Sequence, residues 1–457
     1  MQKTVVINVV GLTKRLIGKH TPFIASFLEQ GKSAYIKPVL PAVTCSVQST
    51  YLTGKWPSEH GIVGNGWYFK DECEVKFWRQ SNKLVQQPKI WDTLKSMDSN
   101  FTCANHFWWY NMYSNVDYSL TPRPNYLADG RKIPDVYSHP AELRDEMQAS
   151  LGTFPLFEFW GPRTTINSSK WIADAAIRTD EKHDPTLTLI YLPHLDYNLQ
   201  RHGLNFDIIS KDLNEIDAVV KQLVTHYQEL NANIVLLSEY GITDVNRPVH
   251  LNRILRNKGY INVRVERGLE LLDAGASEAF AVADHQIAHV YIKKQENINQ
   301  VKALLNVVPG VERVLSKDEL EKEHLIHDRC GDLVVVADKD SWFTYYFWLD
   351  DALAPDYARM VDIHKKPGYD PVEMMTDPKD KLVTAKVIGK LIKKKLGFRT
   401  VMDIIPLNAN LIKGSHGRIP EDTEDYPIFI SNMGHLVQKE KMEGIEVCDL
   451  IKNHVLN

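Results

Sequence analysis

Residues 41–65 read PAVTCSVQSTYLTGKWPSEHGIVGN. Thr44 heads a run of small and polar residues that reads as a helix. Thr53-Gly54 closes the run, and Ser58-Glu59-His60-Gly61 makes a turn. A threonine at the start of a helix is ordinarily a cap. It can also be a nucleophile, and the choice depends on what the rest of the chain brings to it.

Outward from this stretch, short β-branched runs alternate with helical patterns. TVVINVV (4–10) reads as a buried strand, TPFIASFLEQG (21–31) as a helix and SAYIKPVL (33–40) as a second strand. KIWDTLKSM (89–97) is helical and FTCANHF (101–107) a strand. PTLTLIYL (185–192), the helical spacing of 208–230 and ANIVLLS (232–238) repeat the alternation. The pattern predicts an α/β fold with a doubly wound, mainly parallel sheet. Chemistry in such sheets collects past the carboxyl ends of the strands. Gly11, Thr44, His194 with Asp196, and Glu239 all sit there.

Two regions differ. Residues 64–170 are rich in Trp, Tyr, Asn and Pro and read as inserted loops or a cap. Residues 248–325 read as a small α+β lobe, which leaves 1–247 and 326–457 as the α/β core.

Hydrophobic residues at 44% and charged residues at 25% are those of an ordinary globular protein. A net charge of −4 gives no electrostatic case for a nucleic-acid polymer as partner. The longest apolar runs are strand-sized, so no transmembrane segment is expected. MQKTVVINVV reads as a first strand and not as a signal peptide, which predicts a cytoplasmic protein. Five scattered cysteines without ligand spacing predict reduced thiols. The segment 380–398, DKLVTAKVIGKLIKKKLGF, is basic and amphipathic, commonly a solvated lysine face over an apolar stripe.

Thr44, Asp196 in YLPHLDYNLQRHG, Glu239 in LLSEYGI and His416 in KGSHGR are a hydroxyl, two carboxylates and an imidazole from distant parts of the chain. Such a set suits metal-assisted phosphoryl transfer, in which a cation lowers the hydroxyl pKa and neutralises transferring charge.

In order and spacing these segments resemble the nucleotide pyrophosphatase/phosphodiesterase family of the alkaline phosphatase superfamily. The run from Thr53 to Ile62 is the strongest match, joined by the first strand, the Asp196 and Glu239 segments and the late Gly-Ser-His-Gly. The resemblance implies an alkaline-phosphatase-like doubly wound fold and a threonine nucleophile activated between two metals, commonly zinc. Thr44 would be that nucleophile, at a helix end where backbone N–H groups favour an anion. Asp196, Glu239 and His416 would be metal ligands.

The family's remaining ligand positions carry other residues here. The first strand ends Val10-Gly11, where the family has Asp-Gly. Glu239-Tyr240-Gly241 stands for Asp-His-Gly and Gln200 for a His, and Val47 takes the place of an Asn that helps hold the phosphoryl oxygen. The expected cofactor is therefore a divalent metal in a non-standard site, with zinc, manganese and iron all open. Gln200, Tyr240, His194, Arg79 and Asn105 are candidate ligand contacts. The substrate would be a small phosphorylated or nucleotide-like molecule. A non-catalytic relative that binds such a ligand or a partner protein remains the alternative.

Overall fold

The computed structural model describes residues 1–128 and 130–457, with only the backbone of Lys394. Its main sheet has nine strands: β1 (Thr4–Val9), β2 (Lys32–Lys37), β3 (Cys103–His106), β4 (Tyr118–Pro122), β5 (Val136–His139), β6 (Leu187–Leu192), β7 (Asn233–Leu237), β8 (Ile428–Ser431) and β9 (Lys441–Glu443). They lie in the order β9-β2-β8-β7-β1-β6-β3-β4-β5. From β7 to β4 every pairing is parallel. Strands β5 and β8 run against their neighbours. The sheet is the mainly parallel one expected.

β1, β6 and β7 are buried along their whole lengths. That is the burial of strands covered on both faces, and it explains their unbroken apolar runs. The main helices are α1 (Pro22–Gln30), α2 (Thr44–Thr53), α3 (Asn167–His183), α4 (His194–His202), α5 (Phe206–Glu229), α6 (Val383–Lys395) and α7 (Glu446–Leu456). α1 and α3 both pack on α5, while α2 packs on α7.

The stretch 64–170 is not a set of loops alone. It supplies β3, β4 and β5 to the main sheet, besides a hairpin, Gly66–Phe69 with Glu74–Phe77. Buried polar side chains such as Asn105, His106, Ser119 and Thr121 break the apolar pattern of these short strands and hide them. A second, antiparallel sheet joins Ala279–Asp284, Ile287–Ile292, Leu333–Ala337 and Val311–Leu315 in that order. It draws one strand from beyond residue 325 and has its own apolar cluster, which includes Trp67, Trp342 and Trp348.

Among the described residues no helix is long and apolar enough to cross a membrane. All five cysteines are unbridged. The basic helix α6 leaves Ile388, Leu391 and Ile392 exposed, so its apolar stripe is largely unpacked.

Candidate functional site

A cavity of about 500 Å³ opens over the carboxyl ends of the central strands. Thr44, Tyr240 and Asp196 line it. Thr44 begins α2, and its predecessor Val43, in extended backbone, is the cap residue. Thr44, already inside the helix, is therefore not the cap residue. Its hydroxyl is instead 3.1 Å from the Tyr240 hydroxyl. Tyr240 donates to Asp196 Oδ1 at 3.3 Å, which leaves its oxygen free to accept from Thr44. The row Thr44–Tyr240–Asp196 is thus polarised toward the carboxylate.

Beneath this row lies a second layer, buried and absent from the cavity wall. Gln200, one turn past Asp196 on α4, donates to Asp196 Oδ2 at 2.8 Å. Glu239 Oε1 accepts from Asn8 at 2.6 Å and also from Gln48. Gln48 Oε1 accepts the backbone N–H of Trp109 at 2.7 Å. His416 donates from Nδ1 to the Ala42 carbonyl at 2.8 Å, leaving its Nε2 lone pair 3.9 Å from Asp196 Oδ1. The Tyr240 ring lies flat on His416, 3.7 Å between centroids. Asn65 ties the first turn of α2 to the second sheet. It accepts from the Cys45 backbone N–H and donates to Asp284 through its own backbone and side chain.

Burial sets the charge of this layer. It pushes the carboxyl of Asp196 up to about 7 and that of Glu239 up to about 8, against opposing hydrogen bonds from their partners. Asp284 rises to about 7 for the same reason. His416 is pushed down to about 3, so its ring is neutral.

The cavity walls are largely aromatic. Trp78 packs against Trp109 and Tyr369, and Trp160 against Tyr369. Lys132, Arg163 and Lys365 bring positive charge to the same cavity, and His364 and His285 line it with imidazoles that burial keeps neutral. Of the sequence-derived candidates, Thr44, Asp196, Tyr240, Glu239, Gln200 and His416 form one cluster. Three others do not join it. Arg79 is exposed and off the cavity wall. Asn105 is buried in β3, where its side chain accepts from the Trp108 N–H. His194 opens α4, where the sequence pattern suggests only a strand end. Two residues along a helix turn the side chain to another side, so His194 faces α5 while Asp196 faces the cavity. The reading missed Gln48, although four residues past Thr44 is one helical turn on the same face.

The family model for type I phosphodiesterase / nucleotide pyrophosphatase matches residues 4–370. The chain belongs to this family, within the alkaline phosphatase superfamily. A Saccharomyces cerevisiae relative, ectonucleotide pyrophosphatase/phosphodiesterase 1, is 27% identical over 275 residues, covering 54% of this chain and 34% of that protein. A second from the same yeast, ectonucleotide pyrophosphatase/phosphodiesterase 2, is 22% identical over 390 residues, 74% of this chain and 69% of that protein. The chain thus spans about a third of the first relative's length. Murine ectonucleotide pyrophosphatase/phosphodiesterase 5, solved as an inactive variant with AMP, superposes with a TM-score of 0.61 at 16% identity over 100% of this chain and 95% of that one. Phosphonoacetate hydrolase from Sinorhizobium meliloti 1021, with phosphonoformate, gives 0.63 at 14% identity over 99% and 96%. At these identities the structures establish a shared alkaline-phosphatase-like α/β fold.

The family is generally divalent-metal dependent. The residues here do not fit its metal pair. Val10, fully buried, offers no donor atom. Glu239 Oε1 accepts two hydrogen bonds, which use both of its lone pairs. The flat stack of Tyr240 on His416 puts an aromatic ring where the family has an imidazole ligand. Among the described residues, three ligand atoms of His, Cys, Asp or Glu gather within 4.8 Å in one place, and it is not here. Asp196, Glu239 and His416 are not gathered at that spacing, and Glu239 Oε2 and His416 Nε2 are buried without hydrogen-bond partners.

Proposed function

We propose that this protein hydrolyses phosphodiester or pyrophosphate bonds in a small, nucleotide-like substrate, with Thr44 as the nucleophile. The observation that carries the reading is the row Thr44–Tyr240–Asp196 on the cavity wall, in a chain of this family. A hydroxyl is a weak nucleophile until a neighbouring group takes its proton. Thr44 Oγ1 attacks phosphorus, and its proton passes to the Tyr240 oxygen as the Tyr240 proton passes to Asp196 Oδ1. The new Oγ–P bond forms as the P–O bond to the leaving group breaks, and the leaving oxygen takes a proton from solvent. Water then attacks phosphorus and the P–Oγ bond breaks, with Asp196 returning the proton to Thr44 Oγ1 by the same route and the attacking water releasing one proton to solvent. Lys132, Arg163 and Lys365 would offset the phosphoryl charge, and the Trp78, Trp109 and Trp160 faces suit a planar ring. AMP in the murine neighbour is a ligand of that kind.

Turnover of a bis-aryl phosphate and of a dinucleoside pyrophosphate, wild type against Thr44→Ala, tests the proposal. Activity in the wild type and its loss in a folded Thr44→Ala chain are expected. Equal activity in both would remove Thr44 from the mechanism, and no turnover of any diester or pyrophosphate would point to a binding protein.

A further inference from the structure

A second cluster lies away from the cavity, between α4 and α5. His194, the first residue of α4, is 2% exposed. Its Nε2 is 3.3 Å from Asp212 Oδ1 and 3.2 Å from Glu215 Oε2. Asp212 and Glu215 are three apart on α5, so both project from one face toward α4. Neither ring nitrogen of His194 makes a hydrogen bond of acceptable geometry, an uncommon state for a buried imidazole.

We propose that His194, Asp212 and Glu215 form a binding site for one divalent cation of the zinc or manganese class. Ligand atoms held about 2.0–2.2 Å from a four-coordinate ion sit roughly 3.3–3.6 Å from one another, close to the spacing of Nε2 from the two carboxylates. One imidazole with two carboxylates favours zinc or manganese over calcium or magnesium, which prefer all-oxygen sites. Three protein ligands leave the fourth position to water, and the Glu215 side chain, 29% exposed, gives the ion a way in. A supporting partner is already in place. Asn198, one turn past His194, donates to Asp212 Oδ1 at 2.8 Å and accepts from Arg201 at 2.9 Å. Lys211, 3.5 Å from Glu215 Oε1, is 80% exposed and free to swing away. The ion would clamp α4 to α5 beneath the turn that presents Asp196. It is a structural cation, independent of whether Thr44 is the nucleophile.

The test is calorimetric titration of chelator-stripped full-length protein with Zn²⁺, for wild type, Glu215→Gln, Asp212→Asn and His416→Ala. The expected result is one ion per chain, with a rise in the thermal midpoint. Glu215→Gln and Asp212→Asn should each weaken binding by more than the roughly 10–100-fold that loss of an outer-shell partner costs. His416→Ala should bind as the wild type does. Glu215→Gln is the gentler change because that side chain reaches solvent. Absence of binding in the wild type would overturn the proposal. So would binding that survives both carboxylate changes or disappears with His416→Ala. Turnover measured on the same samples reports on Thr44 separately, so failure of one reading does not pass for failure of the other.

Discussion

The cavity wall and the layer beneath it treat their carboxylates in opposite ways. On the wall, Asp196 Oδ1 ends a row of hydroxyls that reaches the substrate space through Thr44. Beneath, Glu239 Oε1 is held by two side-chain amides. Polar groups buried at this depth cost free energy unless they are paired. The lower layer keeps the family's acidic position while replacing charge partners with Asn8, Gln48, Gln200 and Tyr240. The wall retains the part that can do chemistry. On the proposed mechanism, reactivity and structural support, shared by one metal cluster in the family, are separated here.

The sharpest way to break this contrast is Thr44→Ala. Turnover should fall by at least about 10³-fold, the scale of losing a nucleophile, with the circular dichroism spectrum unchanged. Tyr240→Phe keeps the stack on His416 and removes only the hydroxyl link. It should lower kcat by about 10²-fold, at the low end for loss of a proton-transfer partner. Steady-state kinetics with KM little changed would support that role.

The lower layer should answer in stability. Gln200→Leu leaves Asp196 Oδ2 buried and unpaired, at a cost of about 1–3 kcal/mol in denaturant unfolding. The smallest effect is a slope. The folded carboxyl of Glu239 titrates at about 8, far above the ordinary value of 4.5. Between those values the folded state holds a proton that the unfolded state has lost, so stability falls as pH rises. Asp196 and Asp284, raised to about 7, act in the same direction. His60 and His416, pushed down to about 3, act oppositely below their ordinary value of 6.5. Lys89, pushed down to about 7, acts oppositely above that value, so the decline should emerge between about pH 6.5 and 7, on the order of 1 kcal/mol per pH unit. Glu239→Gln should flatten it, as read from urea midpoints across that range.

Much of this was legible in the sequence. The apolar runs of β1, β6 and β7 sit at their expected places because central parallel strands need apolar residues on both faces. The run from Thr53 to Ile62 is contiguous, so its resemblance to the family is carried by the sequence itself. Helix α4 was not legible. HLDYNLQRH is mostly polar, and its cap residue, Pro193, makes no side-chain capping bond. Reading it as a strand end placed His194 beside Asp196, when the helix turns His194 onto α5. The stack of Tyr240 on His416 joins residues 176 positions apart, which no local pattern encodes. The amides around Glu239 were hidden for a similar reason. Asn8 comes from a strand interior and Gln48 from a helix, and only the fold brings them to one carboxylate.

The most direct test of the central claim, that Thr44 and not a metal pair carries the reaction, is intact and peptide mass spectrometry of acid-quenched enzyme during turnover of a phosphodiester, with chelator present. The account predicts a phosphorus-containing adduct on the peptide bearing Thr44, absent from Thr44→Ala. Turnover that stops with chelator and returns only with added metal at the Asp196–His416 cluster would contradict it, as would steady hydrolysis with no adduct at Thr44.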